Sequence, residues 1–153
     1  MDEVLWDRSR CSVAGTLAVV GEKWSLLVLR EAFLGVRRFA DFQRVLGAPR
    51  AVLTDRLATL VDQGILRRVP YQAEGERQRH ESRLTEKGID LYPTLVALMQ
   101  WGDRYLSDGD APVELEHRDC GSPVHLGLVC ERGHQLSGAR EVRPQPRADS
   151  RTA

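Results

Sequence analysis

The side chains of this chain that could do chemistry are three cysteines, four histidines and a set of arginines, and they fall in separate places. His117-x2-Cys120 and Cys130-x3-His134 form two tight pairs on either side of a nine-residue spacer. Each pair can bite one ion, and two such pairs complete a tetrahedral zinc site. Gly121 and Gly133 permit the sharp turns that such knuckles require. The order differs from a standard finger, which has both cysteines first. A small metal-free hairpin with a few polar residues accounts for the same pattern, and His125 is a spare ligand or none. Four protein ligands leave no open position for substrate, so a metal here is structural rather than catalytic. Cys11 stands alone at the other end. Arg8 and Arg10 favour its thiolate if they lie near it in space, which makes it a candidate redox residue. A small buried cysteine at a helix start is the plainer alternative. An odd cysteine count excludes a disulfide framework. No Gly-rich phosphate loop and no paired-carboxylate motif accompanies these residues, so an enzyme is not expected.

The arginines gather in the middle. Residues 37–80 hold nine Arg against five acids, a balance of +4; residues 1–36 carry −1 and residues 81–153 carry −3, so the chain is neutral overall. A basic face on a neutral chain suffices for phosphate contact, although a solvated surface would show the same excess.

The elements that position these arginines follow from periodicity. Leu53, Leu57, Leu60 and Val61 lie on one stripe of a helix, with Arg50, Thr54, Asp55, Thr59 and Asp62 on the other side. Pro49 suits its first position and Gly64 its end. Arg50, Thr54 and Arg56 near its start can lie in a major groove. Before it, Arg37–Leu46 reads as a short helix with Phe39, Phe42 and Leu46 inward, and Gly47-Ala48 makes the turn, a helix-turn-helix spacing. Lys23–Phe33 is a strongly apolar helix ending near Gly35. After it, Ile65–Tyr71 begins as a strand, and Pro70 implies an edge or an end. Gly75 supplies the turn, and Glu81–Thr85 returns. Arg77 and Arg79 in the loop are placed to reach phosphates or the minor groove. Thr85 is the N-cap of a further helix. A charged, solvated hairpin is the bland alternative. The fold class is therefore mainly α with a small β wing.

The chain resembles the HxlR family of bacterial winged-helix regulators, relatives of the MarR type. The resemblance rests on Cys11, Gly21-Glu22-Lys23-Trp24-Ser25, Arg30-Glu31, Gly35, Arg38-Phe39, Leu53-Thr54-Asp55-Arg56-Leu57, Leu60-Val61, Gly64-Ile65-Leu66, Arg83-Leu84-Thr85-Glu86-Lys87-Gly88 and Trp101-Gly102. These are ordered as in the family over about residues 10–106. One departure is Ser82, where the return strand of the wing usually carries an aromatic. A second lies in the tail: some relatives have Cys-x-x-Cys at the second pair, and here Gly133 stands in place of the second cysteine, followed by His134.

The resemblance implies a two-fold dimer built from the terminal helices. The residues agree: Val13, Leu17 and Val20 repeat at helical spacing before the core, and Leu91, Leu95, Leu98 and Gly102 form a stripe that Tyr92, Val96, Met99 and Leu106 widen. Caps on a monomer core are the alternative. In some relatives the N-terminal cysteine senses electrophiles or oxidants.

The expected organisation is a winged helix-turn-helix and dimerisation domain over 1–106, a linker at 107–113, a Cys/His tail over 114–142 that is zinc ribbon-like if metal binds, and disorder over 143–153. The expected function is a homodimeric, sequence-specific regulator of transcription, a repressor in preference to an activator. Its partner is double-stranded DNA carrying a pseudo-palindromic operator. Arg37, Arg38, Arg50, Thr54, Arg56, Arg77 and Arg79 are the DNA-contacting set. Arg56 is also placed to pair with Asp55 or Asp62. A winged-helix module that has lost DNA binding and serves protein interaction is the other class considered. The chain shows no secretory or membrane segment, so a cytoplasmic location is expected. The cofactor is none or zinc, and the effector a small molecule or an oxidant.

Overall fold

The computed structural model describes residues 8–145 apart from positions 73 and 76. The chain divides into two compact units. One is Ser12–Leu95; the other joins the described residues 8–11 with 96–145. Among the described residues no single helix is long and apolar enough to cross a membrane.

The first unit opens with α1 (Ser12–Val20) and α2 (Lys23–Phe33). Glu22 starts α2: its carboxylate accepts the Trp24 N–H at 2.8 Å, satisfying one of the orphan donors of the first turn. The short helix α3 (Phe39–Leu46) begins two residues later than expected, because Arg38 is extended and acts as N-cap. Gly47 ends α3 in the left-handed conformation (φ 62°) that side-chain-bearing residues rarely adopt, and its N–H donates to Gln43 O. Helix α4 (Arg50–Asp62) follows. Pro49 sits one place earlier than expected, as the N-cap, with its carbonyl accepting the Leu53 N–H at 3.0 Å. Its missing N–H is harmless at either position.

The apolar stripe of α4 is inward as expected. Leu53 and Leu60 are fully buried and Leu57 nearly so, against Val28, Leu29 and Phe42. Phe39, Leu46 and Val61 pack at the margin of this core. Gly64 (φ 68°) closes α4 in a Schellman motif, with Ile65 N–H donating to Leu60 O and Gly64 N–H to Val61 O.

The wing is an antiparallel pair, β1 (Leu66–Tyr71) and β2 (Arg79–Leu84), in register from Leu66 opposite Leu84 to Tyr71 opposite Arg79. β2 starts two residues earlier than its alternation suggests. Ser82 is half-buried, and its N–H donates to Arg37 O at 2.7 Å, so the loop before α3 supports the wing through the backbone. Where an aromatic was expected there is an open cleft lined by Phe33, Gly35, Arg37 and Ser82.

Thr85 is the expected N-cap, accepting the Gly88 N–H, and it has a second role. Its hydroxyl donates to Gly64 O at 2.6 Å and lies 3.1 Å from Ile65 O. Lys87 Nζ donates to Gln63 O at 2.6 Å, placing a cation on the carbonyl end of α4. The expected single helix after the wing is two, α5 (Glu86–Ile89) and α6 (Tyr92–Tyr105). Pro93 explains the break: it has no N–H for the helical ladder and its ring would crowd the preceding turn.

The second unit begins inside α6 rather than at the expected linker. Gln100 accounts for this. Its side-chain amide donates to Val124 O and accepts from Leu126 N–H, both at 2.9 Å, so the end of α6 carries the tail. There β3 (Leu128–Val129) pairs with β4 (Gln135–Leu136) in a short antiparallel hairpin. Leu126, Leu128 and Val129 remain exposed, so backbone bonds and Gln100 hold the tail rather than an apolar core. Most of the segment expected to be disordered, 143–153, lies outside the described residues.

Candidate nucleic-acid interface

Within the Ser12–Leu95 unit, α4 offers a polar start. Arg50 and Thr54 are exposed one turn apart. The Thr54 hydroxyl donates to Arg50 O at 2.8 Å, so its proton is spent on the helix while the side chain stays exposed. The Arg50 guanidinium lies over the Phe39 ring, 5.0 Å from its centroid. Arg38 lies over Tyr71 at 4.4 Å. Arg37, Arg77 and Arg79 are exposed as well.

The arginines sort into two groups by their partners. Arg30 pairs with Glu31, Arg44 with Asp41, Arg56 with Asp55 and Arg83 with Glu81. Arg37, Arg38, Arg50, Arg67, Arg68, Arg77 and Arg79 form no such ion pair among the described residues. Arg56 therefore takes the ion-pair alternative, beside Asp55 on the same helix. Glu31 and Glu81 are both buried, and the guanidinium beside each, bonded at 2.8 and 2.6 Å, keeps an uncompensated charge out of the interior. The seven unpaired arginines of this unit retain their hydrogen-bond donors for an outside anion.

Sequence reading missed the two rings. Phe39 and Arg50, like Arg38 and Tyr71, are distant in sequence, and no periodicity connects them. Arg67 and Arg68, outside the expected DNA-contacting set, are both exposed on β1.

The second unit carries the proposed metal ligands as two knuckles. In the first, His117 N–H donates to Ser122 O and Gly121 N–H to His117 O; His117 Nδ1 stands 3.2 Å from Cys120 Sγ. Hydrogen bonds from the Ser122 side chain, then from its backbone, hold the Cys120 thiol below its ordinary pKa. In the second, Cys130 N–H donates to His134 O and Gly133 N–H to Cys130 O. The four side chains are not brought together: among the described residues no three His, Cys, Asp or Glu groups are gathered as a metal would require. Each knuckle is closed by its own backbone bonds, and the first pair satisfies itself. Cys11 is exposed just before α1, not buried at a helix start.

A helix-turn-helix with a polar second helix, followed by a basic hairpin, defines a winged helix-turn-helix protein. The chain belongs to the HxlR-like helix-turn-helix family, which it matches over residues 19–110. It is 48% identical over 136 residues to an uncharacterized HTH-type transcriptional regulator of Mycobacterium tuberculosis, covering 88% of this chain and 85% of that one. This likeness runs beyond the family match and into the flanking segments. Among solved structures, the transcription-factor candidate PA1607 is 40% identical with a TM-score of 0.78, over 90% of this chain and 96% of that one. The redox regulator HypR in its oxidized form is 32% identical with a TM-score of 0.56, over 61% of this chain and 96% of its own. The chain is thus a transcription regulator with a helix-turn-helix fold, in a family of regulators rather than enzymes.

Proposed function

We propose that the protein binds double-stranded DNA as a homodimer, with α4 in the major groove and the β1–β2 wing on the adjoining backbone, and that it represses transcription at a pseudo-palindromic operator. The observation that carries this reading is the unpaired state, among the described residues, of Arg37, Arg38, Arg50, Arg77 and Arg79, shared by Arg67 and Arg68 on the wing, where four other arginines of the unit are neutralised by acids. Arg50 and Thr54 are the base-reading positions. Arg37, Arg38, Arg77 and Arg79 serve phosphate or the minor groove. Arg56, held by Asp55, contributes less. Thr54, exposed with its proton spent on the helix, keeps a methyl and an acceptor oxygen, which suits a thymine methyl or a base amino group.

The dimer reading is supported by apolar surface on the terminal helices. Val13 and Leu17 are exposed on α1, and Leu98, Trp101 and Tyr105 on α6. Leu95, by contrast, packs on the core. An oxidant acting on the exposed Cys11 is the effector class favoured by the likeness to a redox regulator.

Selection of bound duplexes from a random-sequence pool tests the reading. The expected product is a symmetric site whose half-sites lie about one helical turn apart, or a multiple of that. No enrichment over input, with protein folded, would favour the interaction-module alternative. An enriched but asymmetric single site would rule out the two-fold arrangement.

A further inference from the structure

Arg37 and Arg38, between α2 and α3, touch both strands of the wing. The Arg37 carbonyl accepts the Ser82 N–H of β2, and the Arg38 guanidinium lies over the Tyr71 ring at the end of β1. The Arg38 carbonyl meanwhile opens α3, accepting the Asp41 and Phe42 N–H groups at 3.1 and 3.0 Å. One residue thus ties the first helix of the motif to the hairpin. Tyr71 is half-buried and Arg38 exposed, and among the described residues no carboxylate pairs with that guanidinium.

A guanidinium carries its N–H donors in its plane. A ring beneath it covers one face and leaves the edge free for a bidentate anion. Stacking also restricts a rotamer-rich side chain before the anion arrives, so less ordering is left to occur on binding. Tyr71 is the only Phe, Tyr or Trp of the wing strands, and it meets an arginine rather than the apolar core.

We propose that Tyr71 is a positioning residue for DNA binding, holding Arg38 ready for a backbone phosphate between α3 and the wing. The proposal rests on the DNA-binding reading above.

Fluorescence anisotropy with a fluorescein-labelled duplex of arbitrary sequence tests it, since a phosphate contact is independent of sequence. Tyr71→Leu is expected to weaken binding about two- to five-fold, the worth of an exposed cation–π contact. Tyr71→Phe keeps the ring and should bind as the wild type. In an Arg38→Ala background Tyr71→Leu should have no further effect, and Arg38→Lys, which keeps charge but loses the planar fork, should reproduce the loss. A ring with a merely structural role would weaken binding equally in both backgrounds, and that result overturns the proposal. So does wild-type affinity in Tyr71→Leu. If Tyr71→Leu fails to fold, Tyr71→Met takes its place in the same two backgrounds, with the same outcomes for and against. Failure of the wild-type protein to bind the duplex would overturn the DNA-binding reading itself, and so is distinguishable from failure of the Tyr71 coupling alone.

Discussion

Gly88→Ala is expected to destabilise the protein severely, because Gly88 sits where α5 meets the junction of α4 and the wing. A Cβ at this position would stand 2.3 Å from Ile65 O and 3.0 Å from Leu84 Cδ2. A relaxed C···O approach is about 3.3–3.6 Å, so roughly 1 Å must be recovered. The obstructing atom is a backbone oxygen, which cannot swing away as a side-chain tip can. It also accepts the Thr85 N–H at 3.1 Å and lies near the Thr85 hydroxyl that bonds Gly64 O. Overpacking of this kind costs about 1–3 kcal/mol. Losing one or two of these hydrogen bonds adds about 1 kcal/mol each. Alanine returns roughly 1 kcal/mol through its better helix propensity. The net loss is about 1–4 kcal/mol, and for a unit of this size the melting temperature should fall by about 5 °C or more. Thermal melts followed by far-UV circular dichroism read this directly. Gly15→Ala in α1, where a Cβ meets nothing within 4 Å, is the control and should be neutral or stabilising. A Gly88→Ala protein that melts with the wild type, or rises with the control, would refute the close-approach reasoning.

Two further outcomes follow from exposed groups. Leu17→Glu and Leu98→Glu place charges on the apolar surfaces of α1 and α6; sedimentation should show monomer, with operator affinity reduced because half-sites are no longer linked. A folded dimer in both variants would put the interface elsewhere. In the tail, the Cys120 thiolate should persist to lower pH than an ordinary cysteine, so iodoacetamide should label it at correspondingly lower pH, and Ser122→Ala should move that profile upward. The same labelling with zinc chloride addresses the metal. The two separate knuckles predict that Cys120 and Cys130 react independently, whereas joint protection by one equivalent would establish the four-ligand site.

The fold was legible where a period of hydrophobic residues met a specific stop. Leu53, Leu57 and Leu60 with Gly64 defined α4, and the alternation around Gly75 defined the wing. Boundaries slipped where a cap decided them: Arg38 and Pro49 are caps, and a cap is a backbone conformation that side-chain pattern does not encode. The break before α6 is encoded in Pro93, but the apolar stripe runs on across it and masks the signal. The candidate site was legible as a set of arginines on the right elements, but not as a division between paired and unpaired ones. Arg56 follows Asp55 directly and precedes Asp62 by six residues, and the folded helix selects Asp55. The stacking of Arg38 on Tyr71 and of Arg50 on Phe39 depends on tertiary approach and left no local signal. In the Cys/His tail, sequence left two alternatives open, a four-ligand site and a metal-free hairpin. Ligand types and spacing satisfied a familiar rule, while the backbone closes each knuckle separately.

The central claim is that the unpaired arginines of α4 and the wing hold DNA, and its most direct test is a salt titration of binding. Operator affinity should be measured over a range of salt for the wild type, Arg50→Ala, and the Arg77→Ala, Arg79→Ala double variant. The wild type should lose affinity steeply as salt rises. Arg50→Ala should lower specific affinity by about 1–3 kcal/mol, and the wing variant should weaken specific and non-specific binding alike while flattening the slope by about two units at most. Wild-type affinity and an unchanged salt slope in all of these variants would contradict the account.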